Sequence, residues 1–321
     1  MTKPVFTDKL PDHEKNIILS YLTGRSPAEI SYLMDRDQLD LTEDQADRLD
    51  RILEERLAGR PLQYAIGYWN FYGRDFIVDP RALIPRPETE LLVERVLAEL
   101  EERRAKGSGR IDLCDVGTGT GAIALTLYLE SLEAERHLPA RTDSRRGMNG
   151  RDPDPLMTNP DATSLYILGT DISEEALSLA EENENFLARA SADRLKYDIR
   201  DLSGRISLQW KKVDLLEGID RKFDLIVSNP PYVEEKLRGR LQKELAFEPA
   251  SALYAGEDGL AIYRRLIPQS IESLKSGGKL LIEIGASQAG RLTELLTRSG
   301  YKQIQIVKDY AGLDRMMIAS V

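Results

Sequence analysis

From Ile111 onward, short apolar runs alternate with longer stretches whose apolar residues recur at helical spacing. The runs Ile111–Val116, Leu165–Thr170, Ile206–Val213, the segment beginning at Phe223, and Lys279–Ile284 each read as a buried strand. Parallel strands need a long crossover between them, usually a helix, so this alternation predicts a doubly wound, mainly parallel α/β sheet. Ile304–Val307 and Met316–Ala319 follow too closely for a helix to intervene, and are predicted as an antiparallel pair that completes seven strands.

In an open sheet of this kind ligands gather beyond the C-terminal ends of the strands, so the residues that follow each run are the candidates. After Asp115-Val116 come Gly117, Thr118, Gly119, Thr120 and Gly121, and then the helix opening at Ala122. Glycines let the backbone turn sharply and pass close to a ligand. The G-x-G-x-G spacing is one residue short of the dinucleotide fingerprint, and no Walker lysine follows. The second strand ends at Asp171, where a carboxylate can accept both ribose hydroxyls of a nucleoside cofactor. Its distance from the glycine loop exceeds the usual separation of about 20 residues, and the insertion between them accounts for the excess. Asp214 and Leu215 end the third strand, with Asp214 placed by chain order to meet an adenine amino group.

The fourth strand stops at Asn229-Pro230-Pro231-Tyr232. The prolines remove two N–H donors and stiffen the turn, while Asn229 adds a side-chain acceptor and Tyr232 a flat face. Such a pocket suits a planar NH2 on an sp2 carbon, either a carboxamide or an exocyclic base amine. The competing reading is an ordinary strand-terminating turn.

Residues 1–75 read as a separate helical unit with capping boxes at Ser26-Pro27-Ala28-Glu29 and Thr42-Glu43-Asp44-Gln45. Its role is either packing support or docking of a protein partner. Residues 76–110 carry a hairpin and linker helix, and 111–321 the sheet. The aromatic and Gly73-Arg74 pattern of the hairpin itself runs from Ala65 to Val78. Residues 132–163 are predicted as an inserted surface loop, and 190–205 as a second polar insertion. The prolines before the linker helix fit a stiff helix entry, whereas Arg86 has no local explanation.

The net charge of −10 argues against broad electrostatic binding of nucleic acid. The single Cys114 excludes an internal disulfide and fits a cytoplasmic location. With only His13 and His137 beside it, no His/Cys metal site is expected. No apolar run approaches a membrane span, and the opening residues hold no signal-peptide core.

The chain resembles the HemK/PrmC family, the N5-glutamine methyltransferases of peptide-chain release factors. The resemblance is carried by I-P-R-P-E-T-E (84–90), D-V-G-T-G-T-G-A-I-A (115–124), N-P-P-Y (229–232), F-E-P (247–249) and K-D-Y-A-G-L-D-R (308–315). It implies a class I, Rossmann-like methyltransferase sheet, S-adenosyl-L-methionine as cofactor, and class 1 release factors as protein substrate, with no metal. It also implies site residues. Asn229, Pro230 and Tyr232 would be catalytic, and Pro231 would join them in holding the substrate. Gly117–Gly121, Asp171, Asp214, Leu215 and Asn229 would bind the cofactor. Leu215 departs from relatives that have an aromatic residue there. A ribosomal-protein glutamine methyltransferase and a DNA N6-adenine methyltransferase are the alternative enzyme readings. A non-catalytic cofactor-binding adaptor is the alternative of another class.

Overall fold

The computed structural model describes residues 3, 4, 6, 10–137, 164–195 and 205–321. Four helices come first: α1 (Asp12–Thr23), α2 (Pro27–Met34), α3 (Glu43–Leu57) and α4 (Leu62–Ile66). Their apolar faces meet in one small core that includes Ile18, Leu19, Ile30, Leu49 and Leu62. Thr42 and Gln45 close a reciprocal capping box at the start of α3. At α2 only half of the expected box forms: Ser26 accepts from the Glu29 N–H at 3.3 Å, and no Glu29 side-chain bond returns.

A hairpin follows, β1 (Tyr68–Phe71) and β2 (Arg74–Ile77). Phe71 and Phe76 are buried in the same core as strand residues Ile111, Leu113 and Leu225. Asn183 clamps the hairpin further, accepting from Ile77 N at 2.7 Å and donating to Ile77 O at 3.1 Å. These contacts attach the hairpin to the body of the sheet, while Tyr68 at its start also packs against the helical core, and a division after residue 75 would cut through β2.

Then come α5 (Glu90–Ala105), β3 (Arg110–Val116), α6 (Ala122–His137), β4 (Ser164–Asp171), α7 (Glu174–Leu195), β5 (Ile206–Lys212) and β6 (Phe223–Ser228). The chain ends with α8 (Ala250–Leu253), α9 (Ala261–Ser273), β7 (Leu274–Glu283), α10 (Ala289–Arg298), β8 (Lys302–Lys308) and β9 (Asp314–Ser320). Seven strands form one sheet in the order β5-β4-β3-β6-β7-β9-β8, with only the β9 pairings antiparallel. Apolar side chains cover both faces. The core under α5 and α6 includes Leu92, Val96, Ile123 and Leu127, and the one under α9 and α10 includes Tyr263, Leu266, Ile267 and Leu292.

Three expectations change at their edges. Residues 132–137 belong to α6 and 190–195 to α7, so the two insertions begin later than their polarity implied. The remainder, 138–163 and 196–204, lies outside the described residues. β7 begins at Leu274 rather than at the predicted Lys279, so Gly277-Gly278 lies inside it, at a register irregularity opposite Phe223–Leu225. A Cβ on Gly278 would stand 2.8 Å from the Lys275 carbonyl oxygen, so glycine here lets a bulged strand pass close to its own backbone.

Candidate active site

β3 and β6 are neighbours, and from them the chain goes on to β4 on one side and β7 on the other. This is the switch point of the sheet, where a crevice opens beyond the strand ends. The glycine loop after β3 and Asn229–Pro231 after β6 meet there in a cavity of about 310 Å³, within the range of roughly 300–1,000 Å³ seen for small-molecule sites. Gly117, Thr118, Gly119, Thr120, Asp171, Asp214, Leu215, Asn229, Pro230 and Pro231 all line it.

Two sequence candidates stand outside this lining. A Cβ on Gly121 would lie 2.9 Å from Leu125 Cδ1 and 3.1 Å from Trp210 Cη2, so this glycine lets the start of α6 pack tightly on β5. Tyr232 is half-buried behind the turn, its hydroxyl 3.5 Å from Glu283 Oε1. Burial pushes that phenol up to about 12.

Asp171 is engaged by backbone at both oxygens: Gly119 N donates to Oδ2 at 3.0 Å and Ser173 N to Oδ1 at 2.9 Å. Gly119 holds φ +56° to do this. A carboxylate has about four acceptor positions, so capacity remains for two hydroxyls of a ligand. Asp214 faces Arg265, 2.7 Å away. Leu215 has φ +54°, a left-handed conformation that costs a branched residue free energy and marks the cavity wall as strained.

The segment 82–89 supplies a wall that local sequence did not reveal: Ala82, Leu83, Pro85, Arg86 and Thr89 all face the cavity. Arg86 finds its explanation in the F-E-P motif. Its guanidinium lies 2.5 Å from Glu248 Oε1, while Glu248 Oε2 accepts from Ile84 N at 3.1 Å. Thr89 donates its hydroxyl to the buried Glu283 at 2.7 Å and accepts from Asn229 Nδ2 at 3.0 Å. Asn229 Oδ1 and the Pro230 carbonyl accept from no described residue.

Beneath the glycine loop, Asp115 is wholly buried. Thr118 Oγ1 and Ala124 N donate to its Oδ2, and Oδ1 has no partner. Burial, aided by the charge of Asp171, pushes its carboxyl up to about 7, and burial does the same to Glu283, also to about 7. A raised carboxyl holds its proton in the folded chain at a pH where the unfolded chain has already lost it. Stability from these groups is therefore full below their unfolded values of 3.8 and 4.5 and is lost as pH rises to about 7. Chemical denaturation at pH 5 and at pH 7.5 should show Asp115→Asn losing less stability over that interval than the parent protein. An equal loss would remove Asp115 as a source of the slope.

Among the described residues no His, Cys, Asp and Glu group is arranged to hold a metal, and no helix is long and apolar enough to cross a membrane.

The family described as PrmC N-terminal domain matches residues 8–67, and the Eco57I restriction-modification methylase family matches residues 149–285. A release factor glutamine methyltransferase from Neisseria gonorrhoeae is 34% identical over 313 residues, covering 97% of this chain and 93% of that protein. The Escherichia coli protein of the same name is 31% identical over 308 residues, 96% of this chain and 91% of its own. Among solved structures, a release-factor-specific protein-(glutamine-N5) methyltransferase from Alicyclobacillus acidocaldarius is 24% identical with a TM-score of 0.34, over 76% of this chain and 98% of that one. By identity and extent, this chain belongs to the release factor glutamine methyltransferase family.

Proposed function

We propose that this chain transfers one methyl group from S-adenosyl-L-methionine to the side-chain N5 of the glutamine in the Gly-Gly-Gln loop of class 1 release factors. The observation that carries the reading is a pair of unengaged acceptors, Asn229 Oδ1 and Pro230 O, beside a glycine-lined cavity at the switch point of the sheet. The cavity residues fit the cofactor. Glycine backbone without Cβ atoms can approach its amino-acid portion, Asp171 has acceptor capacity for ribose hydroxyls, and Ile123, Ile172 and Ile262 add apolar wall. Bound there, the cofactor supplies an electrophilic methyl on a sulfonium.

The protein's part is alignment. A carboxamide nitrogen is a poor nucleophile because its lone pair is delocalised into the carbonyl. Two acceptors that take hydrogen bonds from both of its N–H groups would turn that nitrogen towards the methyl; as the N–C bond formed the C–S bond would break, its electron pair staying on the now neutral sulfur, and the surplus proton on nitrogen would pass to solvent water. Positioning of this kind supplies up to about 7–11 kcal/mol when alignment is good. Pro231 stiffens the turn that presents both acceptors, and Tyr232 supports it from behind. The test is mass spectrometry of a class 1 release factor incubated with the protein and cofactor. One added methyl on that glutamine, absent when the glutamine is replaced, is the expected result. A label on adenine in DNA or on a ribosomal protein instead would overturn the choice of substrate.

Asp171→Ala removes the ribose acceptor and also releases Gly119. Cofactor affinity should fall about 10–100-fold, the worth of one or two hydrogen bonds to a charged group. Unchanged affinity on calorimetric titration would take Asp171 out of the cofactor site.

The helical unit α1–α4 is assigned the docking of the protein substrate. Arg56 on α3, bound to Glu14 at 2.8 Å, also reaches Glu244 at 3.1 Å, tying these helices to the loop that follows N-P-P-Y. A chain beginning at Pro61 keeps Phe71 and Phe76 in the sheet core. It should bind cofactor and methylate a short Gly-Gly-Gln peptide while losing activity on intact release factor. Full activity on the intact factor would leave α1–α3 as packing support alone.

A further inference from the structure

We infer that Thr89 and Glu283 form a hydrogen-bond relay that fixes which end of the Asn229 amide faces the substrate, making both of them positioning residues for methyl transfer. The inference rests on the function proposed above and deepens it, for neither residue touches the reacting atoms.

The argument is one of donors and acceptors. An Asn side chain carries NH2 on one side of Cγ and oxygen on the other, and the two can exchange by a half-turn with almost no change of shape. Only one of these orientations is useful here, because an oxygen accepts from the substrate amide and an NH2 repels it. Asn229 therefore needs something that distinguishes its two ends.

Thr89 does so. Its hydroxyl has a single hydrogen, and that hydrogen goes to Glu283 Oε2, 2.7 Å away. A carboxyl oxygen without a proton is an acceptor only, and Oε2 is that in the carboxylate and equally in the acid that carries its proton on Oε1, so the Thr89 oxygen is left to act as an acceptor in its turn. Asn229 Nδ2 donates to that oxygen at 3.0 Å. Turned the other way, Asn229 would set its own oxygen against a hydroxyl oxygen that has no hydrogen to offer. Oδ1 is thereby held as the end without a partner among the described residues.

Glu283 is well placed to impose the direction. It lies at the end of β7 and is 1% exposed. The backbone carbonyl of the same residue is pinned by the Tyr263 hydroxyl at 2.7 Å. Its second carboxyl oxygen faces the Tyr232 hydroxyl at 3.5 Å, so one carboxylate braces the first and last residues of N-P-P-Y together. Burial raises its carboxyl, the Thr89 hydroxyl and Arg315 act against that rise, and Arg315 is itself held by Asp309 at 3.0 Å. Residues 89, 229 and 283 come from three separate segments, and a bond that merely packed the core would not require this order of donors.

The experiment compares Thr89→Val, which keeps shape and loses the hydroxyl, with Thr89→Ser, which keeps the hydroxyl. Thr89→Val should lower kcat on release factor by about 10–100-fold, the scale of an angstrom-sized misplacement, with cofactor affinity within about twofold of the parent value. Thr89→Ser should recover most of the loss. Glu283→Gln, which still offers Thr89 an acceptor, should retain more turnover than Glu283→Ala. A second readout needs no substrate. In protein labelled with ¹⁵N at asparagine, the Asn229 NH2 pair, identified by its absence in Asn229→Gln, should exchange slowly with solvent in the parent and in Thr89→Ser, and fast in Thr89→Val. Equal exchange in parent and Thr89→Val, or equal kcat with an active parent, overturns the relay. A parent protein that fails to methylate release factor overturns the functional reading instead, and the exchange measurement still decides the relay.

Discussion

Asn229→Ala is expected to lower methyl transfer to release factor by about 10²–10³-fold, the loss typical of removing one preorganised polar group at a reacting centre. Cofactor affinity should change far less. Asn229 lines the cavity, but its one bond to a described residue runs to Thr89, away from the glycine loop and from Asp171. The interaction removed is one whose geometry matters most when the nitrogen approaches the methyl, so kcat and kcat/KM should fall together. Asn229→Asp is the sharper companion. It keeps an acceptor of nearly the same shape but can no longer donate to Thr89, and it sets a second carboxylate one hydroxyl away from Glu283. Turnover should drop here too, although an acceptor oxygen remains. If Asn229→Ala instead weakened the cofactor as much as it slowed turnover, Asn229 would be a cofactor ligand and the aligned-acceptor mechanism would fail.

What could be read from the sequence was whatever is encoded locally. A strand, its glycine turn and the helix after it lie within a dozen residues, so Asp115–Ala124 shows both its shape and its place at a strand end. N-P-P-Y is legible for the same reason. The start of β7 is not legible in the sequence because two glycines in a row signal a turn and a bulge alike, and only the pairing with β6 separates the two. Thr89 and Glu283 gave no signal of their own: they are 194 residues apart, and each has an ordinary local role, one at a helix entry and one at a strand end. Gly121 reads as a cofactor residue because the motif includes it, whereas a left-handed φ of +79° and close approach to Leu125 and, far along the chain, Trp210 are what require a glycine there. Long-range pairs of this kind leave only an unexplained residue type in an otherwise explained stretch, and Arg86 was such a residue.

The contact between Arg86 and Glu248 leads to the other large expected effect, on stability. Glu248 has a side chain 1% exposed and takes the Ile84 N–H as well as the guanidinium of Arg86, so it joins I-P-R-P to F-E-P across 162 residues. Arg86→Leu leaves a carboxylate buried without its cation. That should cost about 3 kcal/mol in unfolding free energy, the lower end for breaking a buried pair, since Arg86 itself is partly exposed. The segment from Leu83 to Thr89 lines the cavity and ends at the residue that orients Asn229, so turnover should fall with stability. Adding Glu248→Gln to Arg86→Leu removes the stranded charge and keeps an acceptor for Ile84 N. The double variant should therefore be more stable than Arg86→Leu alone, which a simple sum of two losses cannot produce. Denaturant unfolding of the parent, both single variants and the double variant measures this directly. If the double variant is less stable than Arg86→Leu, the cost of losing Arg86 lies in its packing, and the charge on Glu248 is not what ties the two motifs together.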